Sequence, residues 1–322
     1  MIKNIELAEI AKRIFDAKSV ILFPHVNPDG DAIGSCVALC LALRQKGIES
    51  WVYSTGGAPE YLDFLCFDVF TDDFSKVDRP DICIAVDCGE EHRIEDRIDA
   101  FYGGNTQMCI DHHLSKVGYG EYYYIDENAA AVCEIIYDLL MSIGTELSRD
   151  MANALYTGLS TDTGNYQYSN TTPHVHDIAA ELLKIGVDHT SIMVNLYQNR
   201  SMKKVICESK AIDKMLVFAG GKGVISYLTG GEMAEIDATH GDADQIIDAL
   251  RNINGIEIAA YLEERETGIK VSMRAKTYGN VAEICERNGG GGHVKAAGCT
   301  MKMSMEEAFA IIKREIEEAI IK

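Results

Sequence analysis

Four short segments of the sequence carry side chains that could bind metal ions. They are His25-Val26-Asn27-Pro28-Asp29-Gly30-Asp31, Asp87, Asp111-His112-His113 and the Asp162 segment Leu159-Ser160-Thr161-Asp162-Thr163-Gly164. Carboxylates and imidazoles are common ligands of divalent cations. Six side chains would suffice for two ions, and their four carboxylates would match two divalent cations in formal charge: His25, Asp29, Asp31, Asp87, His112 and Asp162. The sequence therefore predicts a two-metal site.

Each segment taken alone also has a simpler structural interpretation. Asn27 to Gly30 would form a turn, Asp31 a helix N-cap, and Asp162 a cap or Asx-turn where a helix ends. The conjunction of all four favours the metal site. An oxygen-rich set with one imidazole per ion suits Mn²⁺ better than Mg²⁺, while Fe²⁺, Co²⁺ and Zn²⁺ stay open.

The elements that must position these residues are visible as apolar runs. Val20 to Phe23, Ile82 to Val86 and Met108 to Ile110 are strand-like, and each ends just before one of the segments. A helical stretch, Ala32 to Lys46, follows the first strand. Such alternation predicts an α/β domain with a parallel sheet and helices on both faces, in which ligands bind at the carboxyl ends of the strands.

The pattern changes in the second part of the chain. Residues 191–214 read as a helical connector with several basic residues, which predicts domains at 1–190 and 215–322 on either side of it. Beyond it, two pairs of strand-like runs (216–228 and 258–273) are each joined by a turn. Together with helical stretches at 242–253, 281–287 and 305–321, they predict a smaller α+β domain.

A glycine-rich element lies in this second domain. Four successive glycines end at Gly292 and are followed by His293, and Ala296-Ala297-Gly298 come next. The N–H groups of such a run could form an anion-binding nest, to which Arg274 could add charge. A flexible turn is the simpler alternative for the glycines alone.

Composition restricts the function further. The chain has 322 residues with 50 acidic and 30 basic side chains, a formal net charge of −20, which argues against gripping long duplex nucleic acid. No run of about 18 apolar residues occurs, so we expect a cytoplasmic protein without a membrane span. The ten cysteines form no CxxC pair, which excludes thiolate-rich zinc sites and is typical of a reducing compartment.

These motifs together resemble the DHH phosphoesterase superfamily in its DHH plus DHHA1 form, and most closely the short nanoRNase and pAp-phosphatase type. The resemblance covers nearly the whole chain, from the His25 segment to the GGGH-type element. It implies that two ligand sets share Asp87. The ligands of one ion would be His25, Asp29 and Asp87, and those of the other Asp31, Asp87, His112 and Asp162.

The resemblance also implies roles for residues beside the metals. Asp111 would orient the adjacent histidine, and His113 would face the substrate phosphate or the leaving group. The implied substrate-binding residues are Arg274, Gly290, Gly291, Gly292 and His293.

The implied substrates are short oligonucleotides, cleaved to 5′-mononucleotides, and 3′-phosphoadenosine 5′-phosphate, converted to AMP. A phosphodiesterase acting on cyclic di-AMP or linear pApA is the alternative, which the sequence does not separate. A pyrophosphatase is disfavoured because that variant of the family lacks the GGGH-type element. A non-catalytic nucleotide-binding module would have lost a metal ligand, and none is missing here. The chain could form a homodimer.

Overall fold

The computed structural model describes residues 3–65, 68–77, 79–113 and 119–321. The chain divides into two compact units, Met1–Asn199 and Arg200–Lys322. The division falls within 191–214, the segment predicted as a connector, between the helices α7 (His189–Tyr197) and α8 (Met202–Asp213).

The first unit is built on a seven-stranded sheet in which all pairings are parallel. Its spatial order is β1-β7-β6-β5-β2-β3-β4. The strands are β1 (Lys3–Asn4), β2 (Ser19–Pro24), β3 (Glu49–Tyr53), β4 (Phe70–Thr71), β5 (Ile82–Val86), β6 (Thr106–Asp111) and β7 (Tyr122–Ile125). Their apolar character follows from burial on both faces.

Helices cover both faces of this sheet, as predicted. Besides α7 they are α1 (Leu7–Asp16), α2 (Gly30–Gln45), α3 (Ile98–Tyr102), α4 (Val132–Ser142), α5 (Arg149–Asp162) and α6 (Pro173–Ile185). Successive residues of β2 point to opposite faces. Val20 and Leu22 join the core beneath α2, α4 and α5, whereas Ile21 and Phe23 join a smaller core with Phe101 of α3.

Two glycines allow α2 and α5 to approach closely. A Cβ at Gly34 of α2 would lie 2.4 Å from the carbonyl oxygen of Ala154 in α5. A Cβ at Gly158 of α5 would lie 3.0 Å from the Cα of Asp31 in α2 and 2.2 Å from the Sγ of Cys133 in α4. No side chain fits at either position. The contact brings the start of α2 beside the end of α5, which are the two helix ends that carry candidate metal ligands.

The second unit contains a six-stranded mixed sheet in the order β12-β13-β11-β10-β9-β8. The strands are β8 (Leu216–Phe218), β9 (Gly223–Leu228), β10 (Ile258–Arg265), β11 (Gly268–Ala275), β12 (Gly291–His293) and β13 (Ala296–Met301). Only β9 and β10 pair in parallel. Both predicted hairpins, β8–β9 and β10–β11, are confirmed.

Four further helices, α9 to α12, complete this α+β unit. They are α9 (Gly230–Glu235), α10 (Ile246–Arg251), α11 (Val281–Arg287) and α12 (Met305–Ile321). One face of the sheet packs against α11 and α12 through residues such as Val271 and Cys299. On the other face, α8 and α10 pack over Val224 and Ala259. Among the described residues, no helix is long and apolar enough to cross a membrane.

Candidate metal centre

The fold brings the four sequence segments to one edge of the parallel sheet. His25 follows β2 directly, Asp87 follows β5, and Asp111 is the last residue of β6. These three strands are neighbours in the sheet, and their carboxyl ends lie side by side. Asp31 lies in the first turn of α2 and Asp162 is the last residue of α5.

The candidate ligand atoms form three overlapping groups, and within each group they lie within 4.8 Å of one another. The groups are His25, Asp29 and Asp87; Asp31, His112 and Asp162; and Asp87, His112 and His113. The Nε2 of His25 lies 3.5 Å from the Asp87 carboxylate, and the Nε2 of His112 lies 3.3 Å from that of Asp162. All six predicted ligands thus converge on one cluster.

Asp87 lies at the centre of this cluster and fits a metal ion. It is almost fully buried, and its Oδ1 accepts no hydrogen bond from any described residue. A buried carboxylate oxygen without a donor is costly unless a cation compensates it. The backbone of Asp87 is also left-handed, with φ of 56°, a conformation that non-glycine residues adopt mainly where the surroundings enforce it.

Asp31 is fixed by a helix that lies far away in the sequence. Its two carboxylate oxygens accept hydrogen bonds from the backbone N–H groups of Val132 (2.6 Å) and Cys133 (2.8 Å), at the N-terminus of α4. The cap of α2 itself is Asp29, whose Oδ1 accepts from the N–H groups of Asp31 and Ala32. The Asp31 side chain therefore caps α4, and not α2, the helix that contains Asp31.

Backbone carbonyls hold the two imidazoles that face the carboxylates. The Nδ1 of His112 lies 3.0 Å from the carbonyl oxygen of Ala129, and the Nδ1 of His25 lies 2.7 Å from that of Val26. A proton on each Nδ1 would leave each Nε2 as the nitrogen that can bind a metal.

Asp111 is paired with His113 and not with the adjacent His112. The Nδ1 of His113 lies 2.8 Å from the Oδ1 of Asp111. Although burial raises the pKa of Asp111, the hydrogen bond and charge of His113 outweigh it and lower that pKa. Asp111 was expected to orient the adjacent His112, but it orients His113 instead. The Nδ1 of His112 already faces the carbonyl oxygen of Ala129.

The cluster is electrostatically unfavourable without cations. Burial, with repulsion from Asp31 and Asp29, raises the pKa of Asp87 well above its ordinary value. Burial and the charge of Asp31 raise the pKa of Asp162 to about 7. Burial lowers the pKa of His112, but Asp162 and Asp31 outweigh it and raise the pKa to about 11. Divalent cations would relieve this repulsion, so the residues present fit metal ions.

Two of the predicted substrate-binding residues, Arg274 and His293, share one row of the second unit's sheet. Arg274 of β11 lies opposite Ala296 of β13, and Ala296 lies opposite His293 of β12. Residues in register on neighbouring strands point to the same face. The guanidinium Nε of Arg274 is 3.7 Å from the Oδ1 of Asp248, and the Arg274 side chain is partly exposed.

Part of the glycine element, Gly291–His293, is an edge strand and not the flexible turn that was the simpler interpretation of the glycines. The N–H of Gly290 donates to the carbonyl of Cys285, and Gly291 to His293 pair with β13. A Cβ at Gly290 would lie 2.1 Å from the carbonyl oxygen of Gly298, so packing excludes a side chain there. At Gly291, by contrast, a Cβ would meet no heavy atom within 4 Å.

Sequence reasoning missed two features of the site. Asp31 and Val132 are 101 positions apart, and nothing in the local sequence signals their hydrogen bond. Gly158 was also missed, although an isolated glycine inside a helical pattern is a recognised sign of close packing. A Cβ there would lie 2.9 Å from the Oδ1 of Asp31, so Gly158 makes room for a candidate ligand.

Comparison with known proteins identifies both units. The sequence pattern of the DHH family, N-terminal domain, matches residues 19–159, and that of the DHHA1 domain matches residues 220–322. The bifunctional oligoribonuclease and PAP phosphatase of Thermus thermophilus is 31% identical over 317 residues, which cover 98% of this chain and 93% of that protein. The Bacillus subtilis protein of the same description is 27% identical over 312 residues, covering 94% and 96%.

A solved structure shows the same fold along the whole chain. An exopolyphosphatase-related protein from Bacteroides fragilis has a TM-score of 0.91 at 22% identity, with 98% of this chain and 97% of that chain covered. Sequence and fold together define the class of two-domain phosphoesterases. Within that class, the chain belongs to the DHH/DHHA1 superfamily and to its nanoRNase and pAp-phosphatase type.

Proposed function

We propose that this enzyme uses two divalent metal ions to hydrolyse short oligonucleotides to 5′-mononucleotides, and 3′-phosphoadenosine 5′-phosphate to AMP. The observation that carries the proposal is the overlap of the ligand groups, because Asp87 belongs to two of them and has an oxygen without a donor. The descriptions of the Thermus and Bacillus relatives support these two substrates.

The ligand sets are those that the family resemblance implies. His25, Asp29 and Asp87, which form one of the groups, would hold one ion. Asp31, His112 and Asp162, which form another, would hold the second ion together with Asp87. Asp87 would bridge them, and one imidazole for each ion favours Mn²⁺. When bound, the ions supply positive charge for the phosphoryl oxygens and lower the pKa of the attacking water.

The remaining groups of the centre act on the substrate. Asp111 holds the His113 ring through Nδ1, so that ring is oriented before the substrate arrives. His113 is partly exposed and would donate a hydrogen bond to a phosphoryl oxygen or to the leaving oxygen. Such preorganisation stabilises the negative charge that develops during hydrolysis.

The second unit would bind the part of the nucleotide that does not react. Arg274 would supply a guanidinium for phosphate. Gly290 and the edge strand Gly291–His293 would supply backbone, and His293, in the same row as Arg274, would supply an imidazole. At Gly291, the absence of a side chain leaves open space for a ligand to approach the backbone.

The experiment is a product analysis with Mn²⁺. The purified chain is incubated with dinucleotides, 3′-phosphoadenosine 5′-phosphate, cyclic di-AMP, linear pApA and pyrophosphate, and products are separated by chromatography. We expect mononucleotides from the dinucleotides and AMP from the bisphosphate, and no hydrolysis with EDTA. Faster turnover of cyclic di-AMP would replace the proposal by the cyclic-dinucleotide alternative. Binding of nucleotides without any hydrolysis would indicate a non-catalytic module.

A further inference from the structure

A lysine on the second unit's sheet lies near Arg274 without an obvious structural task. Lys270, Ser272 and Arg274 alternate along β11 with the buried residues Val271 and Met273. Their partners on β13 are, in the same order, Thr300, Gly298 and Ala296. These six residues lie on the same face of the sheet.

The ammonium group of Lys270 is not neutralised within the part of the chain that the structure describes. Its side chain lies across Gly298, with Nζ 3.5 Å from where a Cβ of that glycine would be. Within the described residues, no hydrogen bond or ion pair of Lys270 is present. Glu263 lies opposite Lys270 on β10. Its carboxylate already pairs with His240 and accepts hydrogen bonds from Nε and Nη2 of Arg265.

The sheet surface between Lys270 and Arg274 is partly exposed to solvent. Four residues along a strand span about 13 Å. Between the two cationic side chains lie Ser272 and Gly298, and Gly298 pairs in turn with Gly291 of β12. A Cβ at Gly291 would meet open space. A nucleotide whose reacting phosphate is bound elsewhere could therefore lie here with a second phosphate at one end.

We propose that Lys270 binds a second, non-reacting phosphate group of the substrate. The inference rests on the proposed function and adds a specificity determinant to it. A lysine ammonium is a compact charge that forms charge-assisted hydrogen bonds with phosphate oxygens. Lys270 would thus favour substrates with a terminal phosphate over otherwise identical substrates that lack one. No bond is made or broken in this contact.

The kinetic test compares ApA, pApA and ApAp as substrates of the Mn²⁺-loaded enzyme. In Lys270→Met we expect KM for one or both phosphorylated dinucleotides to rise roughly tenfold, which corresponds to one charge-assisted hydrogen bond. KM for ApA and kcat for all three should stay unchanged. Lys270→Arg, which keeps the charge, should retain most of the wild-type preference for the phosphorylated dinucleotides over ApA. The phosphorylated form that loses its advantage tells whether the 5′ or the 3′ phosphate is bound.

Lys313→Met is the matched control. Lys313 lies on α12, against the opposite face of the same sheet, where it pairs with Glu317. Its replacement removes the same charge from the unit but should leave all three KM values unchanged. Equal increases for the three dinucleotides in Lys270→Met, or no increase at all, would overturn the proposal.

A salt titration and a binding measurement complete the test. Removing one cation–phosphate contact should make KM for pApA or ApAp less sensitive to the salt concentration, because salt screens that contact. Calorimetry on the chain with both units in EDTA, with adenosine 3′,5′-bisphosphate and AMP as ligands, needs no turnover. If the wild type hydrolyses no dinucleotide, the proposed function fails. The Lys270 proposal fails separately if Lys270→Met keeps the wild-type preference for the bisphosphate.

Discussion

The two units hold their functional side chains in opposite ways. In the first unit, Asp31, Asp87 and Asp111 are buried, and Asp31 and Asp111 are each fixed by hydrogen bonds within the protein. In the second unit, Lys270 and Arg274 are partly exposed side chains on a sheet face and have few internal partners. A site for chemistry needs groups held before the substrate arrives, whereas a site for recognition can order its side chains on the ligand.

Loss of the Asp87 carboxylate should reduce activity more than any other change. A small loss would contradict the contrast between the two units. Asp87→Asn keeps a residue type that tolerates the left-handed backbone. We expect kcat with Mn²⁺ to fall more than the ~10–100-fold that is typical of residues outside the metal's own ligands. In EDTA the variant should melt at a higher temperature than the wild type, because a repelled buried carboxylate has been removed. Retention of most activity would contradict the ligand assignment.

Removal of the guanidinium in the second unit should affect binding only. In Arg274→Ala we expect KM for dinucleotides to rise about tenfold, since a charge-assisted hydrogen bond is worth about 1.5–3 kcal/mol. KM for an aryl phosphate ester, which has no nucleoside to bind, should change little. Arg251→Ala is the control because Arg251 contacts the same Asp248 carboxylate from α10. Equal effects of Arg274→Ala on both substrates would remove the distinction between the two units.

A pair of glycine substitutions sharpens the comparison by separating stability from binding. In Gly158→Ala, the new Cβ would clash with Cys133 and crowd Asp31. It should lower the free energy of unfolding by about 1–3 kcal/mol, with a loss of kcat. Gly291→Ala meets no neighbour, so its unfolding curve should match the wild type while KM for dinucleotides rises. Urea denaturation and steady-state kinetics measure both, and a destabilised Gly291→Ala would contradict the structure.

The last prediction concerns the pH dependence of stability in EDTA. Asp162 has a folded-state pKa of about 7, above its ordinary value. Between about 3.9 and 7, the folded carboxyl keeps a proton that the unfolded one has lost, so its contribution to stability falls as pH rises through this window. Asp162→Asn should therefore become more stable relative to the wild type as pH rises. Mn²⁺ should reverse the order. Urea unfolding at several pH values tests this, and a constant difference would contradict it.

Much of the site could be predicted because its residues follow strong local signals. Asp87 ends an uninterrupted apolar run, and a buried parallel strand has that pattern whatever its partners are. Asp162 was placed from the sequence where a helix ends, and α5 does end at Asp162. The Thr161 hydroxyl donates to the carbonyl of Gly158 within that helix, and Gly30 makes room for the Thr161 side chain.

The parts that escaped prediction depend on contacts between distant segments. The pairing of Asp31 with α4 joins residues about a hundred positions apart, and the edge strand at Gly291 exists only because β13 lies beside it. The predicted helix at 242–253 is shorter, Ile246–Arg251, because His240–Asp242 forms a 3₁₀ turn capped by the Asp242 carboxylate. Each of these outcomes is decided by packing that local propensity does not contain.

The bond between Asp31 and α4 has a consequence for synthesis on the ribosome. A growing chain that ends before Val132 lacks the donors that aim Asp31, and it still lacks Asp162. Chains emerge from the ribosome N-terminus first, and domains fold as units. The cluster that contains His25 and Asp87 is therefore incomplete until α5 has been synthesised. The candidate metal site is therefore complete only once the first unit has been synthesised, and all the residues of its ligand groups lie in that unit.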